Sequence, residues 1–174
     1  MKTTILSLAT AFAFVLTASA ADVTVKLTDV HICCKSCVSG ANKIVSSVSG
    51  AKADVSQDDS TITITAADKA TVQKTVDALT AGGFFGKSSD PDIKVDATTG
   101  AKNMKVKSVT ISDLHLCCDK CAKAVDKVAK AVPGVTGDTA AKNAKSFEVT
   151  GDFNDKDLMD ALQKEGLTGK ITKE

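Results

Sequence analysis

A chain of 174 residues with 43% hydrophobic and 25% charged residues has the composition of a folded globular protein, not of a disordered tail. It has no Trp and no Tyr, so its core must be aliphatic, and all 22 of its basic residues are Lys. Set against 21 acidic residues this is near-neutral, and neutrality without Arg or aromatic platforms argues against a nucleic-acid partner.

The chain starts with Lys2, an almost unbroken apolar stretch from Ile5 to Leu16, and Ala18-Ser19-Ala20, which has the form of an A-x-A cleavage site. Residues 1–20 are therefore expected to be a signal peptide. The apolar stretch is short for a bilayer span, and no Cys follows the cut to carry a lipid. The mature protein is expected in the periplasm or secreted, with no stable membrane insertion. Once Lys2 is removed, lysines and acidic residues number 21 each.

What remains is an internal repeat. Val25-Lys-Leu-Thr-Asp-Val-His-Ile-Cys-Cys-Lys-Ser-Cys37 returns as Val109-Thr-Ile-Ser-Asp-Leu-His-Leu-Cys-Cys-Asp-Lys-Cys121. Val76-Asp-Ala-Leu79 likewise returns as Met159-Asp-Ala-Leu162, and Gly83-Phe84 as Gly166-Leu167. This gives one unit over 22–90, a linker over 91–104 and a second unit over 105–174. Asp90-Pro91 and Thr98 to Asn103 carry linker chemistry, although Ile93-Lys-Val95 could extend a strand.

Each unit has the same order of elements. Val23, Val25 and Leu27 alternate, as do Val109 and Ile111, which suits a half-buried strand. The Cys-rich loop follows. A helix then carries Val38, Ala41, Ile44, Val45 and Val48, or Ala122, Val125, Val128, Ala129 and Val132, ending at Ser49-Gly50 or Pro133-Gly134. A turn-rich stretch at Asp54–Asp59 leads to a strand at Thr61–Thr65, matched by Phe147–Thr150. A second helix carries Val72, Val76 and Leu79, or Leu158, Ala161 and Leu162, and closes on Gly82-Gly83 or Gly166. A last strand is expected to start near Phe84 or Leu167. The order predicts an α+β chain of two tandem ferredoxin-like (βαββαβ) domains, each an antiparallel sheet with two helices on one face. Units of about seventy residues are small but can fold alone.

All six Cys and both His lie in two copies of His-x-Cys-Cys-x-x-Cys: His31, Cys33, Cys34 and Cys37, then His115, Cys117, Cys118 and Cys121. Cysteines used as small core residues would be scattered. Between strand and helix, Cys34 and Cys118 fall in the loop, while Cys37 and Cys121 enter the first helical turn, where the helix dipole favours thiolates. Two thiolates three residues apart can converge on one ion. Thiolates select soft metals such as copper(I), and also suit zinc(II) and its heavier relatives.

Both units resemble heavy-metal-associated (HMA) domains, the module of copper chaperones, copper-pumping ATPases and periplasmic mercury-binding proteins. The two Cys of that family's Gly-Met-Thr/His-Cys-x-x-Cys motif fall on Cys34 and Cys37, and on Cys118 and Cys121. Its inward-packing Met falls on Ile32 and Leu116, and its Gly-Tyr or Gly-Phe on Gly83-Phe84 and Gly166-Leu167. The resemblance implies copper(I) ahead of zinc(II) or mercury(II), with a membrane metal transporter or another metallochaperone as partner. Two departures stand out: a third thiol, Cys33 or Cys117, precedes the pair, and His31 or His115 replaces the Gly. The third thiol either completes a three-coordinate site or bridges to another molecule in a metal-linked dimer or small cluster; three-thiolate capture is preferred, by Cys33, Cys34 and Cys37, and independently by Cys117, Cys118 and Cys121. That leans towards sequestration or storage over simple transfer.

Other uses of the same residues stay open. The thiols could oxidise in an oxidising compartment, but three per loop leave one over. So short a staple also removes little entropy, since even loops of ~15 residues are worth about 3 kcal/mol. A thiol-disulfide redox protein using the Cys-x-x-Cys pairs lacks a flanking Trp and a Pro-led strand. A binding module with no metal role has no use for two identical Cys and His arrays. His31 and His115 suit direct ligation or a supporting role beside the ligands equally. Lys120, Lys123, Lys127 and Lys130 form either a docking stripe or a solvated helix face balanced by Asp119 and Asp126. No catalytic constellation appears, so no enzymatic activity is expected.

Overall fold

The computed structural model describes residues 21–173; the signal peptide expected at 1–20 lies outside them. The first half runs β1 (Val23–Thr28), α1 (Lys35–Ser46), β2 (Lys52–Ser56), β3 (Thr61–Ala66), α2 (Lys69–Ala81) and β4 (Lys87–Ser88). The second runs β5 (Lys105–Ser112), α3 (Asp119–Ala131), β6 (Val135–Asp138), β7 (Ser146–Asn154), α4 (Asp155–Lys164) and β8 (Lys170–Lys173). The strand orders are β2-β3-β1-β4 and β6-β7-β5-β8, with all neighbours antiparallel. These are two ferredoxin-like domains in tandem. Among the described residues no helix is long and apolar enough to cross a membrane.

Alternation in the strands sets which face is buried. Val25 pairs with Ile64 and Leu27 with Ile62, and all four are buried. Val109 opposite Val149 and Ile111 opposite Phe147 repeat the arrangement. Each side chain of this kind contributes about 1.5–3 kcal/mol when taken out of water. The helices cover that face with Ala41, Val45, Val72, Val76 and Leu79, and with Val125, Ala129, Leu158 and Leu162. Ile32 and Leu116, which precede the first thiol of each loop, are buried beneath it.

Three local expectations are corrected. Asp54 to Ser56 belong to edge strand β2, paired with Thr61 to Thr63, and the turn is confined to 57–60 with Ser60 at φ 54°. Ile93 to Val95 join no sheet. The Gln73 amide donates to the Lys94 carbonyl (2.7 Å) and accepts from its N–H (2.8 Å), which holds the segment on α2 with Ile93 buried. The last strands start at Lys87 and Lys170, not near Phe84 and Leu167. Those two residues instead form an antiparallel bridge with each other, joining the two domains.

The linker is stapled by a carboxylate that belongs to no motif or repeat. Asp155 is fully buried at the start of α4 and accepts from the N–H groups of Lys102 (2.6 Å), Met104 (2.8 Å) and Lys156 (2.7 Å). Burial alone would push its pKa up, but these donors more than offset it and leave it below the ordinary carboxylate value.

Candidate metal centre

Each Cys-rich loop leaves the end of a central strand and turns into a helix whose N-cap is itself a Cys. Cys34 and Cys118 are extended at φ −163° and −154°, and their carbonyls accept from Cys37 (3.0 Å) and Cys121 (3.1 Å). This places Cys37 and Cys121 in the first turn, fully buried, with the other four thiols half-buried.

The two loops meet. Gly83, at φ +87°, lies so close to the second loop that a Cβ there would sit 2.4 Å from the His115 nitrogen. Gly166, at φ +75°, makes the same approach to the first loop, 2.4 Å from the His31 nitrogen. Only glycine allows both the left-handed backbone and the contact. The Gly166 carbonyl accepts from His31 and Phe85, and the Gly83 carbonyl accepts from Thr168.

All six thiols therefore form one cluster across the domain boundary, where two separate sites were expected. Cys33 lies 3.6 Å from Cys118 and 3.5 Å from Cys121. Cys117 lies 3.6 Å from Cys34 and 3.3 Å from Cys37, and Cys37 and Cys121 are 3.9 Å apart. Within each loop the spacings are 3.7 and 3.7 Å in the first and 3.7 and 3.8 Å in the second. Corresponding distances agree so closely that the cluster has an approximate two-fold axis. All six cysteines are free.

The histidines cross over. His31 brings a ring nitrogen within 4.8 Å of the Cys33 and Cys121 sulfurs. His115 lies beside Cys37 and packs against Gly40 of α1, and its ring stacks on Phe84 with centroids 4.6 Å apart. Both have a buried Nε2 with no hydrogen-bond partner. Burial holds the His31 pKa below its ordinary value despite the pull of Cys37 and Glu165.

Six thiols this close cannot all ionise, because each added negative charge opposes the next. The contact between the Cys37 and Cys121 thiols holds Cys37 well below the ordinary thiol range, and that contact together with burial holds Cys121 above it. Burial pushes Cys33 up to about 12 and Cys117 higher still. Burial also acts against Cys118, but nearby N–H groups of Cys121 and Lys120 and the thiols Cys33 and Cys34 outweigh it and bring it to about 7. Filling the cluster with thiolates requires cations among them. The Lys stripe lies apart from it: Lys120, Lys123, Lys127 and Lys130 are exposed, and Lys130 pairs with Asp126 at 2.6 Å.

No family model matches the chain, and no curated protein does. Among solved structures it is similar to the N-terminal soluble domains of Bacillus subtilis CopA, at 15% identity over 88% of this chain and 95% of that one, TM-score 0.34. It is also similar to a copper binding domain from HMA7, a P-type ATPase, at 17% identity over 38% of this chain and 93% of that one, TM-score 0.35. The first two RRM domains of yeast poly(U) binding protein Pub1 give 10% identity over 86% and 98%, TM-score 0.28. The fold assignment rests on strand order and pairing.

Proposed function

We infer that the chain captures a soft metal ion, copper(I) first among them, through its six cysteine thiolates, and that its two domains are HMA-like. The observation that carries this is the convergence of all six thiols, from loops far apart in sequence, into one cluster with sulfurs 3.3–3.9 Å apart. An all-sulfur donor set selects soft ions. Ligands drawn from two domains favour holding metal over passing it on, because a receiving protein must displace thiolates on both sides of the boundary. Sequestration or storage outside the cytoplasm is the role that fits, with a membrane metal transporter or metallochaperone as source or recipient. No catalytic activity is assigned.

The test is an anaerobic competition of the fully reduced chain against a chromophoric copper(I) chelator. The chain should strip copper from the chelator, and the Cys34→Ser, Cys118→Ser double variant should bind at least ten times more weakly. A reduced chain that takes no copper(I) would remove this function. The thiols should then be tested for disulfide exchange, for which their spacing also leaves room.

A further inference from the structure

The spacing of the sulfurs has a definite shape. Besides the contacts of 3.3–3.9 Å, Cys34 lies within 4.8 Å of Cys33 and of Cys118, and Cys117 lies within 4.8 Å of Cys118. Each sulfur is then left with a single sulfur that it does not neighbour: Cys33 with Cys117, Cys34 with Cys121, and Cys37 with Cys118. Six points related this way are the corners of an octahedron.

We propose that this cage takes up a polynuclear copper(I)–thiolate cluster, with four ions in alternate triangular faces, and not one ion per loop. The proposal rests on the soft-metal function above and specifies what that site holds. One such set of faces is Cys33–Cys34–Cys118, Cys34–Cys37–Cys117, Cys117–Cys118–Cys121 and Cys33–Cys37–Cys121. Every sulfur serves in two of them, so each thiolate bridges two ions and each ion has three sulfurs. The approximate two-fold axis exchanges this set with the opposite four faces, so the two choices are equivalent.

Size agrees. An ion centred in a triangle of 3.7 Å edges sits about 2.1 Å from each sulfur, against about 2.3 Å for a metal–thiolate bond, so loading needs an expansion of a few tenths of an ångström. The shape also discriminates between metals. An all-sulfur tetrahedral zinc(II) site needs four sulfurs that all neighbour one another, and any four corners of an octahedron include a far pair, so zinc(II) would have to take the His31 nitrogen beside Cys33 and Cys121 to complete its shell. Trigonal copper(I) needs only three. The charges balance as well. Six thiols release six protons to solvent and bind four copper(I) ions, leaving two negative charges in excess. Helices α1 and α3 both begin at the cage, and their positive N-terminal ends face that excess.

The experiment loads the reduced full chain with copper(I) anaerobically from a chromophoric chelator complex. Copper number is read by native mass spectrometry, and the loaded protein by X-ray absorption at the copper edge. The expected result is a four-copper species in preference to one- and two-copper species, with a short copper–copper scattering path. Saturation at one or two ions with no such path, by a chain that still strips the chelator, would overturn the cluster and leave the proposed function standing. No uptake at all would remove both. Cys34→Ser and Cys118→Ser singly should each lower the number bound while the far-ultraviolet circular dichroism is unchanged. A four-copper species retained in both would equally overturn the proposal. Should either variant misfold, the wild-type copper number and edge spectrum still decide.

Discussion

Helices α2 and α4 start on side chains that bond their first free N–H groups, whereas α1 and α3 start on cysteines that make no such bond. Asp68 accepts from Thr71 at 2.7 Å, and Asn154 from Lys156 at 2.9 Å and Asp157 at 3.4 Å. Cys34 and Cys118 occupy the same place with the same extended backbone but cap nothing. The first pair of helix ends is finished by the chain itself; the second leaves its donors facing the thiols. A local loss of stability is thus concentrated where negative charge is to be gathered. Function can be located from this difference, because a helix start that would be more stable with Ser or Asp has been given Cys.

The sharpest way to break the comparison is to part the two uncapped ends. Gly83→Ala and Gly166→Ala each force a side chain into the left-handed region and against the opposite loop, at roughly 2–5 kcal/mol per site. Urea unfolding should show that loss, and the thiols should react faster with an alkylating reagent. Equal reactivity in variant and wild type would show that the glycines do not hold the loops together. Next in size is the exchange of roles at the cysteine caps. Cys34→Ser and Cys118→Ser should each stabilise the metal-free protein by about 1 kcal/mol, since Ser is a favoured cap, while weakening copper(I) binding. Thermal melts beside chelator competition would test the opposition, which fails if both quantities move the same way.

At the finished ends the outcome should be the reverse. Asn154→Ala should cost about 1 kcal/mol in unfolding experiments, Asp68→Ala should destabilise in the same direction, and both should leave copper binding unchanged. The last comparison is one of pH dependence and concerns Asp155. Its folded pKa is depressed, so its contribution is complete above the unfolded value of about 3.9 and is lost as pH falls below that towards the folded value. Wild type should therefore lose stability in that acid window more steeply than Asp155→Asn, as followed by denaturation at stepped pH. Parallel profiles would show that the charge is not what the linker amides require.

Periodicity and self-similarity made the fold legible, because alternation in β1 and β5 and the helical spacing of Val72, Val76 and Leu79 are local signals. The loops were legible too, since no Cys or His lies elsewhere. What could not be read was that the loops meet. Nothing in the periodicity of one unit reports how it sits on another, so Gly83-Phe84 and Gly166-Leu167 passed for strand starts when they are the surface joining the domains. Their recurrence as Gly followed by a large apolar residue was the available signal. Asp155 was hidden for another reason: an acid after Asn154 looks like a solvated helix start, and its burial depends on where Lys102 and Met104 run.

The linker that Asp155 and Gln73 tie down also decides the kinetic order of assembly. Were the two loops carried by separate molecules, a shared centre would dissociate on dilution and its metal content would follow protein concentration. Joined by a short, anchored segment, the loops meet again at an effective concentration set by the tether. Closure around metal is then a unimolecular event, and the centre should hold its composition however scarce the protein becomes.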